Sequence, residues 1–159
     1  MAFAYRKYLR MDYHQKIVSC FMGEFYFLSN FYPAKVEFEG ITYPSVEHAY
    51  QSAKTLDISI RKQIAVLFTP LRAKNAGRGL TIRNDWDQIK LEVMEQCVRY
   101  KFTHHAFLGN KLLSTGNALI EEGNDWEDYF WGICDGRGEN HLGKILIKIR
   151  SELRSKLSP

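Results

Sequence analysis

Cysteine is scarce in this sequence, which has only Cys20, Cys97 and Cys134 among its 159 residues. The number is odd, no two of them form a CxxC pair, and no histidine stands at a zinc-ligand spacing from them. These absences argue against a disulfide framework and against a structural zinc site. We therefore expect reduced thiols in a cytoplasmic protein that holds no metal.

Long apolar runs are also absent. No stretch approaches the roughly 20 apolar residues that a membrane-spanning helix needs, so no membrane association is expected. The first 16 residues are basic and rich in tyrosine and lack the apolar centre of a secretory signal. Because the chain has only four prolines and no Pro/Gly/Ser-rich linker, we expect one domain over residues 17–159, preceded by an N-terminal extension over residues 1–16.

Neither sign of charge is in large excess, since 22 Lys and Arg stand against 18 Asp and Glu, a net charge of +4. That balance suits an anionic ligand without requiring nucleic acid. Aromatic residues, in contrast, are plentiful: 10 Phe, 9 Tyr and 3 Trp make up 14% of the chain. A chain of this length can form a core without metal or disulfides. Some of the rings must lie in that core, and the high aromatic share leaves others to line a ligand pocket.

Helices dominate the predicted secondary structure. The pattern predicts strands over residues 16–21 and 35–40, a hairpin turn at Gly40, a helix over 45–56 with Ser45 as N-cap, helices over 58–68 and 71–77, a long helix capped by Asn84, a helix over 104–113, a short strand over 118–122, a loop over 123–140 and a last helix with an apolar stripe from Leu142 to Leu153. The expected fold is a compact, mainly helical α+β domain with a small β-sheet.

The helix after Pro44 carries a pattern of polar residues. Glu47, Gln51 and Lys54 recur at i, i+4 and i+7 and therefore share one face. Spacing alone favours a solvent-exposed face whose glutamate interacts with the helix dipole. The alternative is a carboxylate and an amine that act on one substrate. His48 points about 100° away from Glu47, which favours a structural role for the histidine.

Two loops are also unusual. Residues 27–33 combine aromatic rings with Ser29 and Asn30, and this pattern fits a core-plugging turn as well as a ligand contact. Residues 125–143 combine two tryptophans, acidic residues and closely spaced glycines ahead of a helix. Glycines at such a place let a ligand approach the backbone, although the spacing is neither a GxGxxG nor a Walker pattern.

Taken together, four ordered motifs resemble the YbiA-like (NADAR) family over residues 18–153. The motifs are residues 27–31, residues 43–51 with Lys54, the set Asn84, Trp86, Lys90, Val93 and Met94, and residues 128–132 followed by Gly136, Gly138, Asn140, Leu142 and Gly143. One departure is the segment 133–135 after Gly132, where the family commonly has glycines or small polar residues. Four motifs in order are far more specific than any one of them.

The resemblance implies an N-glycosidase that cleaves the C–N bond between a ribose and a base. Two substrates are implied: a small-molecule ribosylated base, namely a phosphoribosylaminopyrimidine intermediate of riboflavin synthesis, or ADP-ribosylated guanine in nucleic acid. A non-catalytic module that binds ADP-ribose or a nucleotide is the rival class. No cofactor, metal or obligate protein partner is implied.

The resemblance also assigns residues. Glu47 matches the family's essential acidic residue, and the expected catalytic residues are Glu47, Lys54 and Asp128. The expected substrate-binding residues are Ser29, Asn30, Phe31, Gln51, Trp86, Trp131, Gly132, Gly136 and Asn140. For Lys54 two roles remain open, a cation that binds phosphate or an amine that forms a Schiff base with an opened ribose. The adjacent His104 and His105 point apart on a helix and are not expected to chelate a metal.

Overall fold

The computed structural model describes residues 9–12 and 15–157 and confirms the α+β class, with helices predominating. The elements along the chain are β1 (Leu9–Asp12), β2 (Gln15–Val18), a 3₁₀ helix (Gly23–Leu28), β3 (Val36–Phe38), β4 (Ile41–Tyr43), α1 (Val46–Ser52), α2 (Ile58–Ala65), α3 (Pro70–Arg78), α4 (Trp86–His104), α5 (Ala106–Ser114), β5 (Leu119–Ile120) and α6 (His141–Ser155). They form two compact units. The central unit is Asn30–His105, and the terminal unit combines the chain before Asn30 with the chain after His105.

In the central unit, β3 and β4 form the predicted hairpin. The two strands pair antiparallel, with Val36 opposite Tyr43. Glu39 and Gly40 make the turn between them with φ angles of 47° and 74°. Positive φ at both central positions gives a two-residue turn whose twist matches that of the strands. The prediction of a turn at Gly40 is therefore confirmed.

Helix α1 is the centre of this unit. Ser45 caps it as predicted, because its hydroxyl accepts a hydrogen bond from the His48 N–H. The helix ends at Ser52, earlier than the predicted residue 56, and all seven of its residues are buried. Helices α2, α3 and α4 and both hairpin strands contact it. Such enclosure forces the polar side chains of α1 into the interior.

The other central helices differ from prediction mainly at their ends. Helix α3 starts at Pro70 after its cap Thr69 and continues to Arg78, so the predicted end at Gly77 is wrong. Helix α4 starts at Trp86 and its N-cap position is Asp85, one residue after the predicted Asn84. It buries Val93, Met94, Cys97 and Val98, which recur at helical spacing.

The terminal unit contains a three-stranded sheet in the order β1-β2-β5. β2 pairs antiparallel with β1 and parallel with β5. β1 lies within residues 1–16, the segment predicted to be an extension, and the sequence pattern did not predict it. Helix α6 packs on β5 and α5 and buries the predicted apolar stripe from Leu142 to Ile149, whereas Leu153, its predicted last member, is half-exposed. No helix among residues 9–12 and 15–157 has the length and apolar character to cross a bilayer.

Candidate active site

Glu47 lies in the first turn of α1 and is only 6% exposed. Its backbone N–H donates to the carbonyl of Asn30 over 3.1 Å. One turn later, Gln51 Nε2 donates to Glu47 Oε1 over 2.8 Å. The solvent-exposed face that spacing alone favoured is therefore wrong for Glu47 and Gln51, because α2, α3 and α4 enclose the helix. Hydrogen-bond partners of this kind reduce the free-energy cost of burying a carboxylate.

The surroundings of Glu47 tune its acidity in opposite directions. Burial raises the pKa of Glu47, because a charged carboxylate loses its hydration in the interior. The hydrogen bond from Gln51 and the positive charges of Lys74, Lys54 and Arg78 lower the same pKa, but they do not cancel the effect of burial. A carboxyl group whose pKa is moved toward neutrality can exchange a proton during a reaction.

Lys54 follows α1 and is half-buried. Burial lowers the pKa of its ammonium group, the negative charge of Glu47 raises it, and the charges of Arg78 and Lys74 lower it. Its Nζ lies 5.8 Å from the centroid of the Tyr50 ring. The positive charges of Lys54, Lys74 and Arg78 thus act on one buried carboxylate, and a concentration of positive charge suits an anionic ligand.

Arg83 forms an ion pair with Asp85. Its Nε and Nη2 donate to Asp85 over 2.6 Å and 2.8 Å, and these hydrogen bonds raise the pKa of the Arg83 guanidinium. The pair precedes α4, where Arg83 also holds the chain by donating its backbone N–H to the Lys54 carbonyl over 2.9 Å. This arginine therefore supports the loop next to Lys54.

Aromatic rings line the same region. The Tyr50 and Trp86 rings lie 5.1 Å apart, tilted by 55°, and their residues are 6% and 7% exposed. Trp86 is thus held by packing, and its predicted contact with substrate stays a prediction. Phe31 is half-buried, and Lys74 Nζ lies 5.8 Å from its ring centroid.

Two buried acceptors accompany the carboxylate. Asn30 Oδ1 and Gln51 Oε1 have no hydrogen-bond donor within the described part of the chain, whereas Asn30 Nδ2 donates to Met94 Sδ over 3.3 Å. An unsatisfied buried acceptor costs about 1–3 kcal/mol. Such atoms are common where a ligand or ordered water completes the site.

The closing motif lies in the terminal unit, and its polar side chains build the loop there. Asp128 Oδ1 accepts a hydrogen bond from the Trp131 N–H over 2.8 Å. Asn124 brackets Asp128, since its Oδ1 accepts from the Asp128 N–H over 3.0 Å and its Nδ2 donates to the Asp128 carbonyl over 2.9 Å. The roles predicted for Asp128 and Trp131 toward substrate stay predictions.

Asn140 also has a structural duty. Its backbone is left-handed, with φ 53° and ψ 42°. Its Nδ2 donates to the Ile120 carbonyl over 2.9 Å, and its Oδ1 accepts from the Glu122 N–H over 3.1 Å. Both ends of its amide thus join the strand β5 to the start of α6.

The remaining predicted binding residues also lie in the terminal unit. Gly132 packs so closely that a Cβ there would overlap the Glu122 carbonyl. Gly136 has φ +75° and lies in an exposed turn, a conformation that favours glycine. Ser29 ends the 3₁₀ helix, where its N–H donates to the Tyr26 carbonyl. Their predicted contact with substrate stays a prediction.

His48 has the structural role that was expected for it. His48 is buried and hydrogen-bonds Ser45 Oγ over 2.7 Å and the Leu67 carbonyl over 3.1 Å; burial lowers the pKa of its imidazole. His104 stacks on Tyr100, and His105 Nε2 hydrogen-bonds the Lys35 carbonyl. Across residues 15–157, no group of histidine, cysteine and acidic side chains could hold a metal ion.

The sequence pattern does not predict the position of Gly77 in the fold, because a glycine after a short helical pattern predicts a helix end. Gly77 is instead buried within α3 together with Ala73. The spacing of two small residues at i and i+4 is a signal of close helix packing that could have identified it.

Comparison with known proteins places these residues in a family context. The NADAR domain family matches residues 14–154. An N-glycosidase of Nostoc punctiforme is 39% identical over 136 residues, which are 82% of this chain and 86% of the relative. A riboflavin biosynthesis protein of Vibrio vulnificus is 37% identical over 137 residues, which are 80% of this chain, and the chain spans only 35% of that protein.

The fold is also similar to a solved structure. The NMR structure of the Escherichia coli protein YbiA superposes with a TM-score of 0.79 at 31% sequence identity, covering 95% of this chain and 91% of that one. In sequence, the N-glycosidase YbiA of Escherichia coli is 35% identical over 128 residues, which are 79% of each chain.

Proposed function

The chain belongs to the NADAR domain family, and on this premise we propose that it is an N-glycosidase that hydrolyses the bond between a ribose and a base, with Glu47 as its catalytic carboxylate. One observation carries the proposal: Glu47 is buried, its carboxylate accepts a hydrogen bond from Gln51, and the positive charges of Lys54, Lys74 and Arg78 act on it. A phosphorylated ribose has a reacting carbon, on which the carboxylate is proposed to act, and an anionic phosphate, which the cations are proposed to bind.

The proposed reaction passes through an oxocarbenium-like state, in which positive charge develops on the ribose as the base leaves. The ionised Glu47 stabilises that charge and accepts a proton from the attacking water. The water oxygen bonds to the anomeric carbon, the electrons of the C–N bond leave with the base, and the base nitrogen takes up a proton. A pKa raised by burial supports this role, because the carboxylate is then a stronger base.

We propose a phosphoribosylaminopyrimidine as the substrate. The names of the relatives support it, since one is an N-glycosidase and another a riboflavin biosynthesis protein. Lys54, Lys74 and Arg78 are proposed to bind the phosphate as point charges or donors. The buried acceptors Asn30 Oδ1 and Gln51 Oε1 are suited to hydroxyl or amino groups of this ligand. A cytoplasmic location is part of the proposal and is supported by three free cysteines.

The experiment incubates the purified protein with a phosphoribosylaminopyrimidine or with a guanine-ADP-ribosylated oligonucleotide and follows the products by mass spectrometry. Wild type is expected to release ribose 5-phosphate from the first substrate. Glu47→Gln is expected to lose about 10²–10⁴-fold in rate, the usual contribution of a positioned acid or base. Glu37→Gln, which changes an exposed glutamate of β3, is the matched control and should keep wild-type activity.

Two other outcomes would replace this proposal. Cleavage of the oligonucleotide alone would assign the ADP-ribosylated guanine substrate. If wild type hydrolyses neither substrate and Glu47→Gln binds both as wild type does, the chain is a binding module and not an enzyme.

A further inference from the structure

Gly77 of α3 lies directly against the amide of Gln51. A Cβ placed on Gly77 would overlap Gln51 Oε1 and lie 2.7 Å from Gln51 Cδ. The other end of the same amide, Nε2, donates to Glu47 Oε1 over 2.8 Å. Gln51 is only 5% exposed, so its amide has little room to move. The space left by the missing side chain is thus occupied by the group that holds Glu47.

We propose that Gly77 is a positioning residue, whose missing side chain lets the Gln51 amide reach the catalytic Glu47. The inference rests on the proposed function only for its effect on rate. Its geometric content, a glycine on one helix that sets the hydrogen bond of a carboxylate on another, does not depend on the substrate.

Helix stability does not account for a glycine at this position. Gly77 lies inside α3 and has no positive φ, so its backbone conformation is open to any residue. Glycine in a helix costs about 1 kcal/mol relative to alanine. The three nearest atoms that a Cβ would meet all belong to the side chain of Gln51. Alanine would therefore fit the backbone of α3 and would conflict mainly with the Gln51 amide, with Gln51 Cβ next at 3.0 Å.

A second glycine provides the comparison. Gly79 stands two residues later at the C-cap of α3, and a Cβ there would meet only the Ala76 carbonyl at 3.6 Å, an ordinary van der Waals contact. Gly79→Ala therefore changes the same helix without approaching Gln51.

The consequence of Gly77→Ala follows from the electrostatics of Glu47. The added methyl group pushes the Gln51 amide away and removes its hydrogen bond to the carboxylate. That bond favours the ionised form and lowers the pKa of Glu47. Its loss raises the pKa of Glu47 further, and the acidic limb of the pH–rate profile moves to higher pH because the ionised form is the active one.

The experiment compares wild type with Gly77→Ala, Gly79→Ala, Gln51→Ala and the double variant Gly77→Ala/Gln51→Ala, using a phosphoribosylaminopyrimidine as substrate. We expect Gly77→Ala and Gln51→Ala each to lower kcat/KM about tenfold or more, the scale of a lost hydrogen bond to a charged group. In both variants the acidic limb of the pH–rate profile should move to higher pH by about one unit. The double variant should lose no more than Gln51→Ala alone, since the two changes remove one interaction.

A second measurement tests the inference without catalysis. Carbon-13 NMR titration of the Glu47 carboxyl, assigned by its absence in Glu47→Gln, should show a higher pKa in Gly77→Ala and an unchanged one in Gly79→Ala. If wild type has no activity but the titration shows this difference, the proposed function fails and the positioning role stands. If Gly77→Ala titrates and reacts as Gly79→Ala does, or if its effect persists in the Gln51→Ala background, the positioning role is overturned.

Discussion

The α1 region of the central unit and the 128–140 loop of the terminal unit both carry polar motif residues, but the two regions use them differently. In the loop, the Asp128 carboxylate accepts a hydrogen bond from a backbone N–H, and the Asn140 amide both donates to and accepts from backbone groups. In α1, Glu47 is held by another side chain, and the carbonyl oxygen of Gln51 has no donor among the described residues.

The difference shows that polar motif residues can have opposite effects on the stability of the fold. Polar side chains that complete a loop contribute to stability, because a backbone group that the loop turns away from water would otherwise lack a hydrogen-bond partner. A carboxylate placed in the interior costs stability, because burial disfavours its charged form. Mutations in the loop are therefore expected to lower the free energy of unfolding, and mutations in α1 are expected to lower catalytic activity.

The largest expected effect on stability is in the loop. Asn140→Ala removes two side-chain hydrogen bonds and places alanine in a left-handed conformation, and we expect a loss of about 3 kcal/mol. Asn140→Gly removes the same bonds without the backbone strain and should lose about 2 kcal/mol. Chemical denaturation measures both. A loss below about 0.5 kcal/mol in Asn140→Ala, the range of ordinary surface substitutions, would contradict a structural duty for this amide.

The next effect is at Lys54, where the proposed role is phosphate binding. Lys54→Met keeps the apolar stem and removes the charge, so KM should rise about tenfold with a smaller change in kcat. Lys62→Met, at an exposed position of α2, is the control and should leave KM unchanged.

Borohydride trapping separates the alternative role of Lys54. No covalent adduct is expected when borohydride is added during turnover. An adduct that disappears in Lys54→Met would assign the lysine as a Schiff-base nucleophile.

The smallest effect is a gain. Burial raises the pKa of Glu47 above its usual value of 4.5, so the folded state resists its ionisation. Below pH 4.5 the carboxyl is protonated in both states and the cost is absent. As pH rises from there through the folded-state pKa, the unfolded state ionises first and stability falls. Glu47→Gln should therefore be more stable than wild type at pH 7, by on the order of 1 kcal/mol.

Denaturation at pH 4 and pH 7 measures this gain. The difference between Glu47→Gln and wild type should be small at pH 4 and larger at pH 7. The loss of an attractive partner for Lys54 limits the gain. The opposite result is a stability difference between Glu47→Gln and wild type that becomes less favourable to the variant from pH 4 to pH 7. That result would place Glu47 among the stabilising residues, like Asn140.

Local chemistry explains which features could be predicted. The turn at Gly40 and the cap at Ser45 depend on a few adjacent residues, and both are confirmed. The apolar stripe of α6 follows from helical periodicity and is also confirmed. Helix ends were less predictable, as at Gly77, because a buried glycine inside a helix looks in sequence like a glycine that ends one.

The sequence shows that Glu47 and Gln51 share a helix face, since their spacing of four residues corresponds to about one turn. It also determined the family, because four ordered motifs are specific where each alone is not. The burial of this face follows from the packing of α2, α3 and α4 on α1, which the sequence of α1 does not specify. The same packing brings the missing side chain of Gly77 against Gln51, a contact 26 residues apart in sequence that no local pattern specifies.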